Sequence, residues 1–222
     1  MNEHNIKNIC NLCGSINTLE TYRYLPHKNE AIIRNDSHCP TCLCQERHRF
    51  LYEYIKQNRH IIEDKIIVHV SSEVCFRERL AKMSRVYHRI DIEPYDGHVQ
   101  MDIRKMEFES ATIDTFICSH VLEHVEDDIK AIKEIIRVLK KDGTALLLVP
   151  IDNREHTEEF KNPNKEDFDH VRNYGYIDFI NKLKLYFSSV KRILPKDILN
   201  DQVIDLCALS YENGQGIFEC KK

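Results

Sequence analysis

Five of the nine cysteines fall within residues 10–44, as Cys10-Asn-Leu-Cys13 and Cys39-Pro-Thr-Cys42-Leu-Cys44. A CxxC pair offers two thiolates to one metal ion from a tight turn. Two such pairs complete a tetrahedral four-sulfur zinc site, whose binding energy folds a segment too small for its own core. The predicted ligands are Cys10, Cys13, Cys39 and Cys42, with Cys44 and His38 ranked behind them. The 25 residues between Cys13 and Cys39 exceed the usual ribbon spacing. They leave room for a hairpin of Thr21–Leu25 and Ala31–Ile33, joined through Pro26 and Asn29. Cys75, Cys118, Cys207 and Cys220 stand alone and read as small core residues.

The rest of the composition narrows the setting. Lys and Arg number 32 against 36 Asp and Glu, which argues against a general nucleic-acid coat. No apolar run approaches the roughly 20 residues of a membrane helix. Met1–Asn5 has neither a cationic nor an apolar leader segment, so the expected location is the cytoplasm. A reducing compartment makes a disulfide framework a poor explanation for the cysteines.

These residues need a scaffold, and its elements show as periodicity. Residues 45–60 read as a helix. Lys65–Val70, Arg85–Ile90, Ile113–Cys118 and Thr144–Val149 are short apolar runs of buried-strand type. Phe76–Lys82 reads as a helix between the first two. Glu126-Asp127-Asp128 opens an amphipathic helix through Ile129, Ile132, Ile135, Ile136 and Leu139, ended by Lys140-Lys141 and Gly143. Strands alternating with helices predict an α/β fold with a parallel sheet and helices on both faces. Ligands of such sheets sit beyond the carboxyl ends of the strands. One rim would therefore carry Ser71–Glu73, Asp91–Glu93, Ser119–His120 and Pro150–Asn153. After 150 the chain reads as loop through Asn162-Pro-Asn164, then helix near 176–186 and strands near 189–194 and 216–221.

Ile113-Asp-Thr-Phe-Ile-Cys-Ser-His-Val-Leu-Glu-His-Val125, then Ile136-Arg-Val-Leu-Lys-Lys-Asp-Gly143 and Leu146-Leu-Leu-Val-Pro150, resemble the class I S-adenosylmethionine (SAM)-dependent methyltransferases. Cys39–Cys42 with Glu46-Arg-His-Arg49, and Asp169-His-Val-Arg-Asn-Tyr-Gly175, are similar to a bacterial subgroup with an N-terminal zinc knuckle. The resemblance implies a Rossmann-like methyltransferase sheet preceded by a small N-terminal zinc ribbon. Its parts would be a ribbon over 1–45, a connecting helix over 46–60 and a methyltransferase domain over 61–222, with 151–187 covering the substrate. One departure matters. The family's first loop is glycine-rich, whereas here it is His69-Val-Ser-Ser-Glu73.

The resemblance also implies site roles. Asp91 would accept from the ribose hydroxyls, followed by Ile92. Asp102 would take the adenine amino group, with Met101 and Ile103 flanking the ring. Val70, Ser71, Ser72 and Glu73 would face the methionine part, and Ser119 and His120 the sulfonium. His120, His124 and His170 are the predicted bases, because imidazole titrates near neutral pH. Asp169, Arg172 and Tyr174, with Arg47 and His48, are the predicted substrate-binding residues.

The leading expectation is a cytoplasmic enzyme that uses SAM to methylate a small-molecule or sugar/phosphate-type intermediate, with a structural zinc and no nucleic-acid partner. Two alternatives stay open. One is an RNA methyltransferase with the zinc module as clamp, motivated by the Arg47–Arg49 cluster. The other is a non-catalytic scaffold, motivated by the glycine-free loop.

Overall fold

The computed structural model describes residues 6–24, 32–93, 95–151, 154–165, 168–209 and 216–222. Asp152 and Asn153 of the predicted rim, and Leu25, Pro26, Asn29 and Ala31 of the predicted hairpin, lie outside the described residues.

The chain opens with an antiparallel pair, β1 (Glu20–Tyr24) and β2 (Ile32–His38), then helix α1 (Glu46–Gln57). The central sheet holds β3 (Ile66–Val70), β4 (Val86–Asp91), β5 (Val99–Gln100), β6 (Ile113–Ser119), β7 (Leu139–Leu148), β10 (Ser189–Ile193) and β11 (Ile217–Lys221). Its order is β10-β11-β7-β6-β3-β4-β5. β3 to β7 run parallel, and β11 is antiparallel to both neighbours. From β3 the chain builds outward to β4 and β5, then returns to β6 on the other side. The carboxyl ends of β3 and β6 thus flank a topological switch point, where sheets of this kind bind ligands.

The sheet's apolar runs face two ways, as a period of two demands. Val68, Phe116, Ala145 and Leu147 point into a core with Ala131, Ile132, Ile135 and Val138 of α3 (Asp128–Val138) and Phe179 and Leu183 of α4 (Tyr176–Lys184). Ile67, Ile117, Leu146 and Leu148 point into a second core. That core contains Phe50, Leu51 and Ile55 of α1, Leu80 of α2 (Arg77–Met83) and Cys10, Leu12 and Leu19 of the N-terminal segment. Each fully buried Phe or Leu here contributes about 2 to 3 kcal/mol. The N-terminal cysteine cluster therefore shares its apolar interior with one face of the sheet. The four isolated cysteines, Cys75, Cys118, Cys207 and Cys220, are all buried.

Three local outcomes differ from the sequence reading. α3 ends at Val138, and Lys140–Gly143 lie within β7, where the β6–β7 register shifts by three residues between Ile113↔Leu139 and Thr115↔Thr144. The stretch after 150 is not loop alone: β8 (Glu158–Asn164) and β9 (His170–Asn173) form an antiparallel pair, tied to the sheet side by a bridge between Ile151 and Tyr174. Two short helices, α5 (Pro195–Ile198) and α6 (Asp201–Leu206), follow β10. Among the described residues, no helix is long and apolar enough to cross a membrane.

Candidate active site

A cavity of about 490 Å³ opens at the switch point, within the roughly 300–1,000 Å³ usual for small-molecule sites. Val70 and Ser71 from the end of β3 line it, with Asp91 and Ile92 from β4 and Met101, Asp102, Ile103 and Arg104 after β5. Val121, His124, Val125 and Glu126 enter after β6, and Pro163, Asp169 and Val171 come from the β8–β9 pair.

Ser71 holds the glycine-free loop at a φ of +49°, a left-handed conformation that costs a residue with a Cβ about 1–2 kcal/mol. Its hydroxyl donates to Asp91 Oδ2 at 2.5 Å, and the Glu93 N–H donates to Asp91 Oδ1 at 3.0 Å. Asp91 is 7% exposed. Each of its oxygens keeps an acceptor site beyond those two bonds. Asp102 is engaged differently. Arg104 binds it through Nε, Nη2 and its backbone N–H, and holds its carboxyl below the ordinary value.

Four residues assigned to the cofactor do not line the cavity. Ser72 is fully buried, and its hydroxyl lies 3.0 Å from His98 Nε2. His98 Nδ1 lies 2.7 Å from the Tyr95 carbonyl, so Nδ1 donates there and Nε2 accepts from Ser72. Ser119 is buried at the strand end. His120, at a φ of +53°, has Nδ1 3.4 Å from Glu123 Oε1.

Glu73 turns toward α1. Its carboxylate lies 3.1 Å from His48 Nε2 and 3.0 Å from His69 Nε2, in ion-pair rather than linear hydrogen-bond geometry. The Gln45 N–H donates to His48 Nδ1, which leaves that ring's proton on Nε2, facing Glu73. His69 Nδ1 meets the Tyr87 hydroxyl at 2.8 Å. Burial opposes ionisation of Glu73, but His48 and His69 together outweigh it and hold the carboxyl well below its ordinary value. Burial pushes the His48 imidazole down, against the pull of Glu73. His48 therefore pins α1 to the β3 loop and does not face the cavity.

The other predicted substrate residues divide. Asp169 lines the cavity, exposed and at a φ of +61°. Arg172 and Tyr174 are buried and bind protein. Arg172 donates to the carbonyls of Leu122 and Glu126 at 3.2 and 2.8 Å and to Glu159 at 3.0 Å, while the Tyr174 hydroxyl donates to Asp128 at 2.7 Å. Arg47 bonds to the Gln45 side chain. Arg49, fully buried, donates to the carbonyls of Asp36, Ser37, Cys207 and Ala208. The Arg47–Arg49 run is therefore not an outward basic face. Of the predicted bases, only His124 lines the cavity. The His170 ring lies 4.8 Å from it, between Asp169 and Val171 on the wall.

Sequence reasoning missed Arg104, Val121, Val125, Glu126, Pro163 and Val171 on the wall. Arg104 had one available signal: it follows Asp102 by two residues, the spacing of the clamp it makes.

The cysteines gather as Cys10, Cys39, Cys42 and Cys44, their sulfurs all within 4.8 Å of one another. Cys10 lies 3.4 Å from Cys44 and 3.7 Å from Cys42, near the about 3.8 Å edge of a tetrahedral zinc–sulfur site. Cys13 is 3.6 Å from Cys39 but stands outside that four-way set, with its sulfur 2.9 Å from the Ser15 hydroxyl. The donor chemistry suits zinc. Contact with Cys44 lowers the Cys10 thiol to about 4 while the same contact raises that of Cys44, so one thiolate rests against a protonated neighbour, and the Arg49 guanidinium, 3.8 Å from Cys44, offsets its charge.

Residues 69–147 match the family described as methyltransferase domain. A SAM-dependent methyltransferase from Archaeoglobus fulgidus has a similar structure, with a TM-score of 0.56 at 11% identity over 81% of this chain and 95% of that one. The 1,6-didemethyltoxoflavin-N1-methyltransferase of Burkholderia thailandensis, solved with its substrate and S-adenosylhomocysteine, gives 0.54 at 11% identity, covering 78% and 77%. N-methyltransferase NodS of Bradyrhizobium japonicum, solved with S-adenosylhomocysteine, gives 0.51 at 15% identity, covering 78% and 87%. No curated protein matches the chain in sequence. The α/β fold with its seven-stranded sheet is that of these methyltransferases, and residues 69–147 of the chain carry the match to the methyltransferase domain.

Proposed function

We propose that this enzyme methylates a small-molecule acceptor, with the methyl donor seated in the switch-point cavity. The observation that carries the reading is the Ser71–Asp91 pair. A buried carboxylate at the end of β4, held by two donors and still able to accept, is suited to a pair of ribose hydroxyls. Met101, Asp102 and Ile103 would border the adenine, with Arg104 keeping Asp102 ionised. Val70 and the Ser71 backbone would run beside the methionine part.

The donor supplies an activated methyl group, and the chain's residues do the rest. They align the acceptor, exclude water and accept a proton where the acceptor is a hydroxyl. Asp169, His124 and the β8–β9 pair would form the acceptor's side of the cavity. The toxoflavin-type acceptor of the Burkholderia enzyme supports a small-molecule acceptor. The internalised Arg49 and His48 leave the RNA reading without its motivating feature. In the ribbon, Cys10, Cys39, Cys42 and Cys44 would hold one structural zinc.

Calorimetry with S-adenosylhomocysteine tests the site. Wild-type protein should bind it, and Asp91→Ala should weaken binding at least tenfold, since a hydrogen bond to a charged group contributes about 1.5–3 kcal/mol. Absence of binding by wild type at millimolar ligand would overturn the reading.

A further inference from the structure

Glu123, His124 and His170 each bring a ligand atom within 4.8 Å of the other two. They share nothing with the cysteine cluster. Glu123 is 1% exposed and His170 6% exposed, while His124 reaches the cavity wall.

The set is held in place by its neighbours. His170 Nδ1 lies 3.2 Å from Asn173 Oδ1. An amide oxygen only accepts, so Nδ1 carries the proton and Nε2 keeps its lone pair, as an outer partner imposes on a metal-ligating histidine. His120 Nδ1 lies 3.4 Å from Glu123 Oε1. Glu123 and His124 sit on a short 3-10 helix, Leu122–His124, and His170 opens β9. Arg172 ties these segments together through the Leu122 and Glu126 carbonyls. A buried guanidinium thus fixes the distance between the ligands from the two segments.

We propose that Glu123, His124 and His170 bind one divalent first-row cation on the cavity wall, distinct from the cysteine site. One carboxylate and two imidazoles are ligands that such cations share, and three protein ligands leave positions open. A cation there holds an oxygen-bearing acceptor beside the methyl donor. That purpose rests on the function proposed above; the binding of the cation does not.

Manganese titration of the full-length protein tests the site without the methyl donor. Mn²⁺ favours carboxylate and water oxygens over soft thiolates, so it leaves the cysteine site to zinc. One Mn²⁺ per chain is expected by calorimetry and electron paramagnetic resonance. Glu123→Gln should weaken it more than tenfold, and so should His124→Gln, whose exposed position keeps folding out of the question. Asn173→Ala should weaken it about tenfold, the loss typical of an outer-shell partner. Asp91→Ala should retain Mn²⁺ while losing S-adenosylhomocysteine. No Mn²⁺ uptake, or equal affinity in wild type and His124→Gln, would overturn the proposal. Uptake of S-adenosylhomocysteine without Mn²⁺ would reject the cation site and leave the methyl-donor reading standing. Mn²⁺ without S-adenosylhomocysteine would do the reverse.

Discussion

The Ser71 hydroxyl donates to Asp91 Oδ2 at 2.5 Å while the Ser71 backbone sits at a φ of +49°. The residue standing where a glycine is expected thus keeps the glycine-like conformation and adds a hydrogen bond. Ser71→Ala removes a bond to a carboxylate and keeps the strain, so it should cost about 1.5–3 kcal/mol. Ser71→Gly loses the same bond but relieves about 1 kcal/mol of left-handed backbone. It should be about 1 kcal/mol more stable than Ser71→Ala in urea denaturation. A Ser71→Gly protein less stable than Ser71→Ala would contradict this account of the loop.

Zinc content separates two ligand sets that differ by one residue. With Cys44 in the four-sulfur group and Cys13 at its edge, Cys44→Ser should lower bound zinc from about one ion per chain toward none. Cys13→Ser should retain most of it. Elemental analysis after dialysis reads both, and the opposite order would restore the pairing of two CxxC units.

The fold's ordered runs were legible because burial enforces a period. Ile66–Val70 and Ile113–Ser119 are covered on both faces, and α3 turns one stripe inward, so their sequences had little freedom. β8 was not legible. Glu-Glu-Phe-Lys-Asn-Pro-Asn carries no apolar alternation, and its pairing with 170–173 is a tertiary event. In the site, the positions directly following strands β3 and β4 could be read from topology alone. The targets of long polar side chains could not. Glu73 reaches back to His48, and Arg172 turns to carbonyls near residue 122, because a buried charge takes whichever donors or acceptors the fold brings near.

Acidification should weaken the protein through the His48–Glu73 contact. Burial holds the His48 imidazole below its ordinary 6.5, so the unfolded chain takes a proton that the folded chain refuses, and stability falls as pH drops through that value. The Glu73 carboxyl sits well below its ordinary 4.5, so its contribution is present above that pH and disappears as pH falls further. Melting temperature should therefore decline in two stages below neutral pH. His48→Gln should flatten the first stage and Glu73→Gln the second. A wild-type protein that gains stability between neutral pH and about pH 5 would refute the assignment.

Gly175 marks a close approach. A Cβ there would stand 2.2 Å from the His156 carbonyl carbon and 2.5 Å from the Glu155 oxygen. Gly175→Ala must push apart backbone that carries the start of α4, and should cost about 2–3 kcal/mol. Chemical denaturation measures it. A loss under about 0.5 kcal/mol, the range of ordinary surface changes, would show that the segment yields freely.

The Arg49 guanidinium joins the carbonyls of Asp36 and Ser37 to those of Cys207 and Ala208, and the Ile9 N–H reaches the Leu206 carbonyl. On the ribosome, the N-terminal module therefore emerges long before its last hydrogen-bond acceptors exist. Until the chain beyond residue 208 is made, Arg49 lacks half of its carbonyl partners. Completion of the N-terminal segment therefore waits on carbonyls supplied from 158 residues downstream of Arg49.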